Sequence, residues 1–558
     1  MAETSSFRLT VELSSTESRK PKSELTKEIP HVKRKSFASL LYGAVPVVIG
    51  LLCICSLPAF AADDPSQTNP PSVTNPLSLL PLAAEDSSQT NPPSVTNPPS
   101  PPAPSRALSS GISQPNPVAF DPSMHLTPEE GREYWDRYVT GDWWGLRTLL
   151  HNWGIDFNLD YFSEAASNVS GGKDTFSGNA KNSGQIWSYT DQALFGIDLN
   201  FEKMVGWEGA SFEFYVTKRT GNDLGNLQNP NTIQLIQEVF GRGQTWRITS
   251  MWYKQTLLND TFEMKFGLMN MSQEFGGFYA IPFENLTFTA GITGNVAGYS
   301  MFTWPVSQWG TDFQWNATKD LSFRIGLFAF NNYWISNQYY LRVDNPGGTS
   351  GAIIPFEIDW KPKLDIFGQG QKLPGLWVLG AFGNTNHTET TGAAKSVIFG
   401  APGSAAFTGN TFTGDWGVYG SIWQQITAPD PSRPKTGLSV FASTIWLDPR
   451  TSFQQGQIAT GLYYWGPWSK RPYDACGIAT GWNRVSGSVR NAERGYINSH
   501  PGSGFDVQNN EWVEEVFYSF DVFHGATVEP DLQWIINPGG YHNATNEVVF
   551  GMQLSVPL

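Results

Sequence analysis

Residues 548–558 read VVFGMQLSVPL. Val548, Phe550, Met552, Leu554, Val556 and Leu558 form one apolar row; Val549, Gly551, Gln553 and Ser555 form a small or polar row between them. Successive side chains of a β-strand point to opposite faces, so the stretch predicts a strand with one apolar and one polar face. The pattern recurs upstream. Ala193, Phe195, Ile197, Leu199 and Phe201 alternate with Gln192, Gly196, Asp198 and Asn200. Ile155, Phe157, Leu159 and Tyr161 alternate with Asp156, Asn158 and Asp160, and Phe212, Phe214 and Val216 with Glu213, Tyr215 and Thr217. Residues 252–269 read as a hairpin turning near Asn259-Asp260, with Phe262, Met264, Phe266 and Leu268 set against Glu263, Lys265 and Gly267.

Alternation alone also suits a soluble sandwich. Two features favour a membrane barrel. The polar rows carry charges in mid-strand, as a watery lumen permits. The texture also continues from Tyr134 to Leu558 without a domain break. At roughly 25–28 residues per strand and connection, that length gives about 16 strands. The expected fold class is therefore all-β: a transmembrane antiparallel β-barrel of about 16 strands.

Composition agrees. Charged residues make up 15% of the 558 and aromatics 14%, with 22 Trp and 55 Gly. The formal net charge of −14 excludes a basic nucleic-acid binder. A mean hydropathy of −0.29 excludes a polytopic helical membrane protein. The aromatic excess would supply the girdles that such barrels place at both membrane interfaces, with Trp252 and Trp304 assigned to them.

Residues 1–61 read as a signal peptide. Lys33-Arg34-Lys35 precedes an apolar stretch and then Ala59-Phe60-Ala61, the order basic, apolar, small. This segment holds eight of the 36 Lys and Arg and five of the 50 Asp and Glu, leaving a net charge of −17. It also holds two of the three Cys, so Cys476 has no intrachain partner in the remainder. Residues 62–125 read as a disordered linker rich in Pro, Ser, Thr and Asn, in which SQTNPPSVTNP occurs at 66–76 and again at 88–98. The barrel domain is expected over 126–558. A short helix precedes it within Leu126–Tyr138, with Thr127 as N-cap and Pro128 at N1.

Several chemistries find no support. The seven His (31, 125, 151, 387, 500, 524 and 542) show no H-E-x-x-H and no zinc-site spacing. There is no G-x-S-x-G elbow, Walker A loop or dinucleotide fingerprint. No cofactor or metal site is expected, and no nucleic-acid partner.

Gly141-Asp142-Trp143-Trp144-Gly145-Leu146-Arg147, followed by Trp153-Gly154-Ile155-Asp156-Phe157, resembles the "GDWGGLR…GVDF" opening of the carbohydrate-selective porin family, the OprB-like porins. Trp252-Tyr253-Lys254-Gln255, Lys265-Phe266-Gly267, Gly461 to Gly466, Arg471-Pro472-Tyr473-Asp474, Glu511 to Glu514, Glu529 to Trp534 and Asn537-Pro538-Gly539-Gly540 continue the match in order. The resemblance implies a 16-stranded outer-membrane barrel that lets sugars diffuse through a lumen narrowed by inward loops. It implies neither enzyme activity nor a redox cofactor. The partners it implies are outer-membrane lipid and lipopolysaccharide, sugar solutes and the barrel-assembly machinery; trimer and monomer both stay open. Two departures are the final Leu558, where such barrels end in Phe or Tyr, and the long Pro-rich N-terminal segment.

Alternation turns Glu213, Arg247, Glu263, Lys265 and Arg324 inward, as pore-lining candidates. Arg219 lies at the end of the Phe212–Thr217 strand, where the resemblance places an Arg before Gly, and is the first candidate for a sugar-contacting cation. Two competing roles stand beside solute contact: a cross-strand ion pair between Glu263 and Lys265, and a field across the lumen from Arg247 and Arg324. On the residues alone, the sugar porin stands against a general or cation-preferring porin and against a secreted β-rich carbohydrate-active protein.

Overall fold

The computed structural model describes residues 125–171, 186–228, 231–241, 243–276, 282–289, 303–336, 339–345, 347–368, 370–386, 389–390, 411–430, 433–503 and 506–558. The expected signal peptide and all of the expected linker except His125 lie outside them.

Sixteen long strands close into a barrel. They are β1 Ile155–Ser170, β2 Trp187–Asn200, β3 Ala210–Gly221, β4 Trp246–Leu257, β5 Phe262–Met269, β6 Gln308–Asn316, β7 Leu321–Phe330 and β8 Gly351–Trp360. There follow β9 Leu373–Asn384, β10 Asp415–Gln425, β11 Gly437–Leu447, β12 Gln454–Trp465, β13 Ala475–Val485, β14 Asn510–Phe523, β15 Ala526–Ile536 and β16 Glu547–Pro557. Each strand pairs antiparallel with its neighbours in sequence, and β16 returns to β1 in a register running from Asp160↔Pro557 to Ser170↔Val548. The two-residue strand Lys363–Leu364 only extends the lower end of β9. Closure pairs every strand edge, which spanning a bilayer requires.

The connections differ sharply between the two ends. One end has the tight turns 258–261, 317–320 and 524–525, and the other has 222–245, 270–307, 331–350 and 385–414. Short turns face the periplasm in barrels of this kind and long loops the exterior. The hairpin turn falls where Asn259-Asp260 indicated, with Leu258, Asn259 and Asp260 all at positive φ.

The outer wall carries the apolar rows. Along β16, Val548, Phe550, Met552, Leu554 and Val556 point out, while Val549, Gln553 and Ser555 are buried inside. Outward tryptophans mark the long-loop rim: half-buried Trp446 lies 6.2 Å from half-buried Trp482, which lies 6.3 Å from exposed Trp512. Towards the other rim, Trp315 stacks on Phe323 and Trp360 meets Trp377 at 5.2 Å.

Trp252 and Trp304 are not girdle residues. Both are buried inside the barrel. The lumen here is packed with protein rather than filled with water, so it accepts apolar rings. Trp304 lies with Phe162, Leu194, Tyr215 and Val239, and its Nε1–H donates to Gln192 Oε1 at 2.9 Å.

Before the barrel, helix α1 (Pro128–Trp135) has the expected N-cap: Thr127 and Glu130 form a reciprocal capping box, and Pro128 opens the helix. Helix α2 (Leu146–Asn152) leads into β1.

A charge on the outer wall is the sharpest test of this orientation. Met552→Arg should destabilise the barrel by about 2–4 kcal/mol in a bilayer, measured by urea titration of folding into vesicles, whereas Met552→Leu should be nearly neutral.

Candidate pore constriction

The stretches 222–245 and 270–307 are rich in apolar residues that obey no strand period. The fold explains them. Ile233, Leu235, Ile236, Val239 and Phe240 of the first are buried, as are Phe275, Phe283, Leu286 and Phe288 of the second. Both connections turn into the barrel. The Phe283 ring reaches the far wall, 4.8 Å from Phe517 on β14 and 5.9 Å from Phe441 on β11.

Inward-facing carboxylates hold these segments by their backbones. Glu515 on β14 accepts the N–H of Glu284 at 2.6 Å and of Asn285 at 2.9 Å. Glu511, one turn of the pleat away, accepts Ile233 N–H and Gly539 N–H, both at 2.8 Å, and Gln234 N–H at 3.2 Å. Glu164 on β1 accepts Val239 N–H at 3.0 Å, and Glu357 on β8 takes Gly276 N–H and the Tyr419 hydroxyl. The two segments also bind each other, Glu238 N–H to Glu284 O and Leu286 N–H to Leu235 O, both at 3.1 Å. Buried N–H groups need acceptors, and a carboxyl group offers two oxygens that can take more than one of them. The inward acidic rows therefore serve as mooring points for the segments that narrow the lumen.

All six sequence candidates lie on the inner face, but they do not meet in one place. Lys265 binds Glu274 at 2.7 Å, faces Glu263 at 3.8 Å and stacks on Trp252; Glu263 also faces Lys254 at 3.7 Å. Arg324 donates to Glu274 O and Gln314 Oε1 and lies 3.9 Å from Asp312. These charges stiffen β4–β7 and tie down Glu274 of the inward segment. Arg247 donates to the carbonyls of Trp334 at 2.7 Å and Ile335 at 2.8 Å, clasping the 331–350 connection. Glu213 accepts the Ser250 hydroxyl at 2.5 Å.

Arg219 stands apart. It is fully buried on β3, and its Nε–H donates to Gln192 Oε1 at 2.8 Å, the oxygen that also receives Trp304. Its Nη1 reaches the carbonyls of Phe240 and Gly241 at 3.4 Å, and its Nη2 has no partner among the described residues. Glu238 Oε2 likewise has no donor among the described residues, whereas the carboxyl groups of Glu284 and Asp531 are hydrogen-bonded to each other. One guanidinium nitrogen and one carboxylate oxygen, those of Arg219 and Glu238, are thus held inside the lumen with bonding capacity to spare.

Sequence reasoning missed Gln192, Glu164, Glu511 and Glu515 as functional positions. Their place in polar strand rows was the available signal; which carboxylates would meet an inward loop was not written there.

The carbohydrate-selective porin, OprB family model matches residues 185–558. The chain belongs to this family. Porin B of Pseudomonas aeruginosa is 32% identical over 435 residues, covering 75% of this chain and 90% of that protein. The high-pH structure of Pseudomonas putida OprB is 31% identical, covers 76% of this chain and 98% of that one, and superposes with a TM-score of 0.67. The protein is an outer-membrane carbohydrate porin, and both fold and family point to a channel.

Two tests follow from the mooring. Glu515→Ala leaves two buried N–H groups without their acceptor, a loss of about 1–3 kcal/mol each at most. Single-channel conductance should rise as the segment loosens. The second test is pH. Burial pushes the Glu238 carboxyl up to about 7, against the pull of Arg219. Burial likewise raises Asp223 to about 7, opposed by the backbone N–H groups of Gln237 and Asn226. A folded-state pKa above the unfolded one means the docked segment holds its proton more tightly. Docking of 222–245 is therefore strongest below the ordinary carboxylate range and weakens as pH rises to about 7, levelling off above it. Conductance and its noise should grow over that interval, and Glu238→Gln should flatten the change.

Proposed function

We propose that solutes cross this porin by passive diffusion past Arg219 and the inward segments, and that mono- or oligosaccharides are favoured there because the lining offers matched donors and acceptors. A sugar hydroxyl can donate to a carboxylate and accept from a guanidinium, so a lumen displaying both can replace part of its hydration shell. The observation that carries the reading is the buried, uncommitted Nη2 of Arg219, fixed in position by Gln192 and by the carbonyls of Phe240 and Gly241. Glu238 lies on the segment docked in the same lumen and supplies an acceptor through its Oε2. Lys265, Glu263, Arg324, Arg247 and Glu213 shape the passage by holding wall and loops, with their polar groups engaged by protein.

Single-channel recording during sugar titration tests this. Saturable block by glucose or a disaccharide is expected, and Arg219→Ala should weaken it about tenfold, roughly 1.4 kcal/mol. Ohmic conductance indifferent to sugar would make the barrel a general pore. A strong preference for cations with no sugar block would assign the same uncommitted carboxylate to ion selection instead.

A further inference from the structure

Helix α2 presents the wrong face to water. Arg147, Thr148 and His151 are buried. Leu146, Leu149 and Trp153, at i, i+3 and i+7, are each nearly half exposed. A helix in water hides its apolar stripe; this one hides its polar stripe and displays the apolar one. The polar side packs against α1, the turn before α2 and the start of the barrel wall. Arg147 donates to Phe157 O at 3.0 Å and lies over the rings of Trp135, Tyr138 and Trp143. Thr148 binds Asp142 through both N–H and hydroxyl, and His151 bridges Asp156 and Lys203.

The turn leading into the helix extends the same surface. The Trp143 ring lies 6.2 Å from Phe157, itself 6.4 Å from Phe195; both phenylalanines are on the outward rows of β1 and β2. Trp144 is fully exposed, with φ 58° and ψ 31°. That left-handed conformation costs a bulky L-residue about 1–2 kcal/mol. A Trp held there with its whole ring outside the protein gains nothing from packing within the chain.

We propose that the Trp143-Trp144 turn and the Leu146–Leu149–Trp153 stripe of α2 form a lipid anchor, lying in the periplasmic leaflet of the outer membrane. The occupant is phospholipid because the surface is continuous with the lipid-facing barrel wall, at the end bearing the short periplasmic turns. It is also apolar with indoles at its edge, the composition that settles at a membrane interface. Trp144 finds its stabilising contact in the headgroup region, and α2 is thereby fixed across the barrel's lower rim with its polar side towards the lumen.

The test uses the full chain in a background carrying Cys53→Ser, Cys55→Ser and Cys476→Ser. Trp144→Cys, Leu149→Cys, Trp153→Cys and, as a control on the exposed side of α1, Glu133→Cys are labelled with a polarity-sensitive fluorophore. The proteins are folded into phosphatidylcholine vesicles with or without brominated acyl chains, folding being checked by heat-modifiable mobility. The labels at 144, 149 and 153 should be quenched several-fold more by brominated lipid than the label at 133, which iodide should quench instead. If Trp144→Cys does not fold, the other two anchor positions carry the comparison. Iodide quenching at the anchor positions without lipid quenching would show a water-facing surface and overturn the proposal. Shielding from both quenchers would show a protein cover and overturn it equally.

Discussion

The pairing of β1 with β16 is the constraint on which everything else rests. It joins the first strand to the last, across some four hundred residues, by a ladder from Asp160↔Pro557 to Ser170↔Val548 with one bulge between Asn168 and Ser170. Without it two strand edges would lie in hydrocarbon with unpaired N–H and C=O groups, each costing several kcal/mol. With it the wall is satisfied in its own hydrogen bonds, and the side chains are free to be apolar outside and polar inside. The C-terminal residue takes part as well, since Leu558 N–H donates to Leu159 O at 2.8 Å.

Closure also creates a lumen wide enough to need narrowing. The chain narrows it with backbone, and backbone brought indoors must find acceptors. Glu164, Glu357, Glu511 and Glu515 provide them from three strands, β1, β8 and β14, so each inward segment is held from the wall it crosses to. Apolar packing then does the rest, as Phe283 shows by seating among Phe288, Phe441 and Phe517. The acidic composition is in this light largely architectural. On the proposed reading, solute meets the polar atoms the architecture leaves unbonded, Arg219 Nη2 foremost.

The barrel was legible in the sequence because a half-buried strand writes its two faces in alternate residues. Rows such as Phe550/Met552 against Gly551/Gln553 mark strand and orientation together, and the same rule turned Glu213, Arg247, Glu263, Lys265 and Arg324 towards the inner face, whereas Arg219 was singled out by the resemblance. The hairpin at Asn259-Asp260 and the N-cap Thr127 were readable from turn and capping chemistry. The constriction was not legible. Ile233, Leu235, Phe283 and Leu286 follow no period, because their partners lie on distant strands rather than on their own element. Trp252 and Trp304 were misassigned for the same reason: an aromatic residue reads alike whether it meets lipid or a loop packed in the lumen. Register at this scale is set by the whole ring, so the neighbours of Arg219 could not be deduced from its own segment.

Polymer-exclusion sizing of the open channel in a planar bilayer tests the central claim most directly. If 222–245 and 270–307 are moored across the lumen, small polyethylene glycols should enter and lower the conductance, while those well below the bore of an empty 16-strand barrel should already be excluded. Removing the Glu511 and Glu515 acceptors together should move that cut-off to larger polymers. A wild-type cut-off equal to that of the empty barrel would contradict the account, because it would mean the inward segments do not narrow the path.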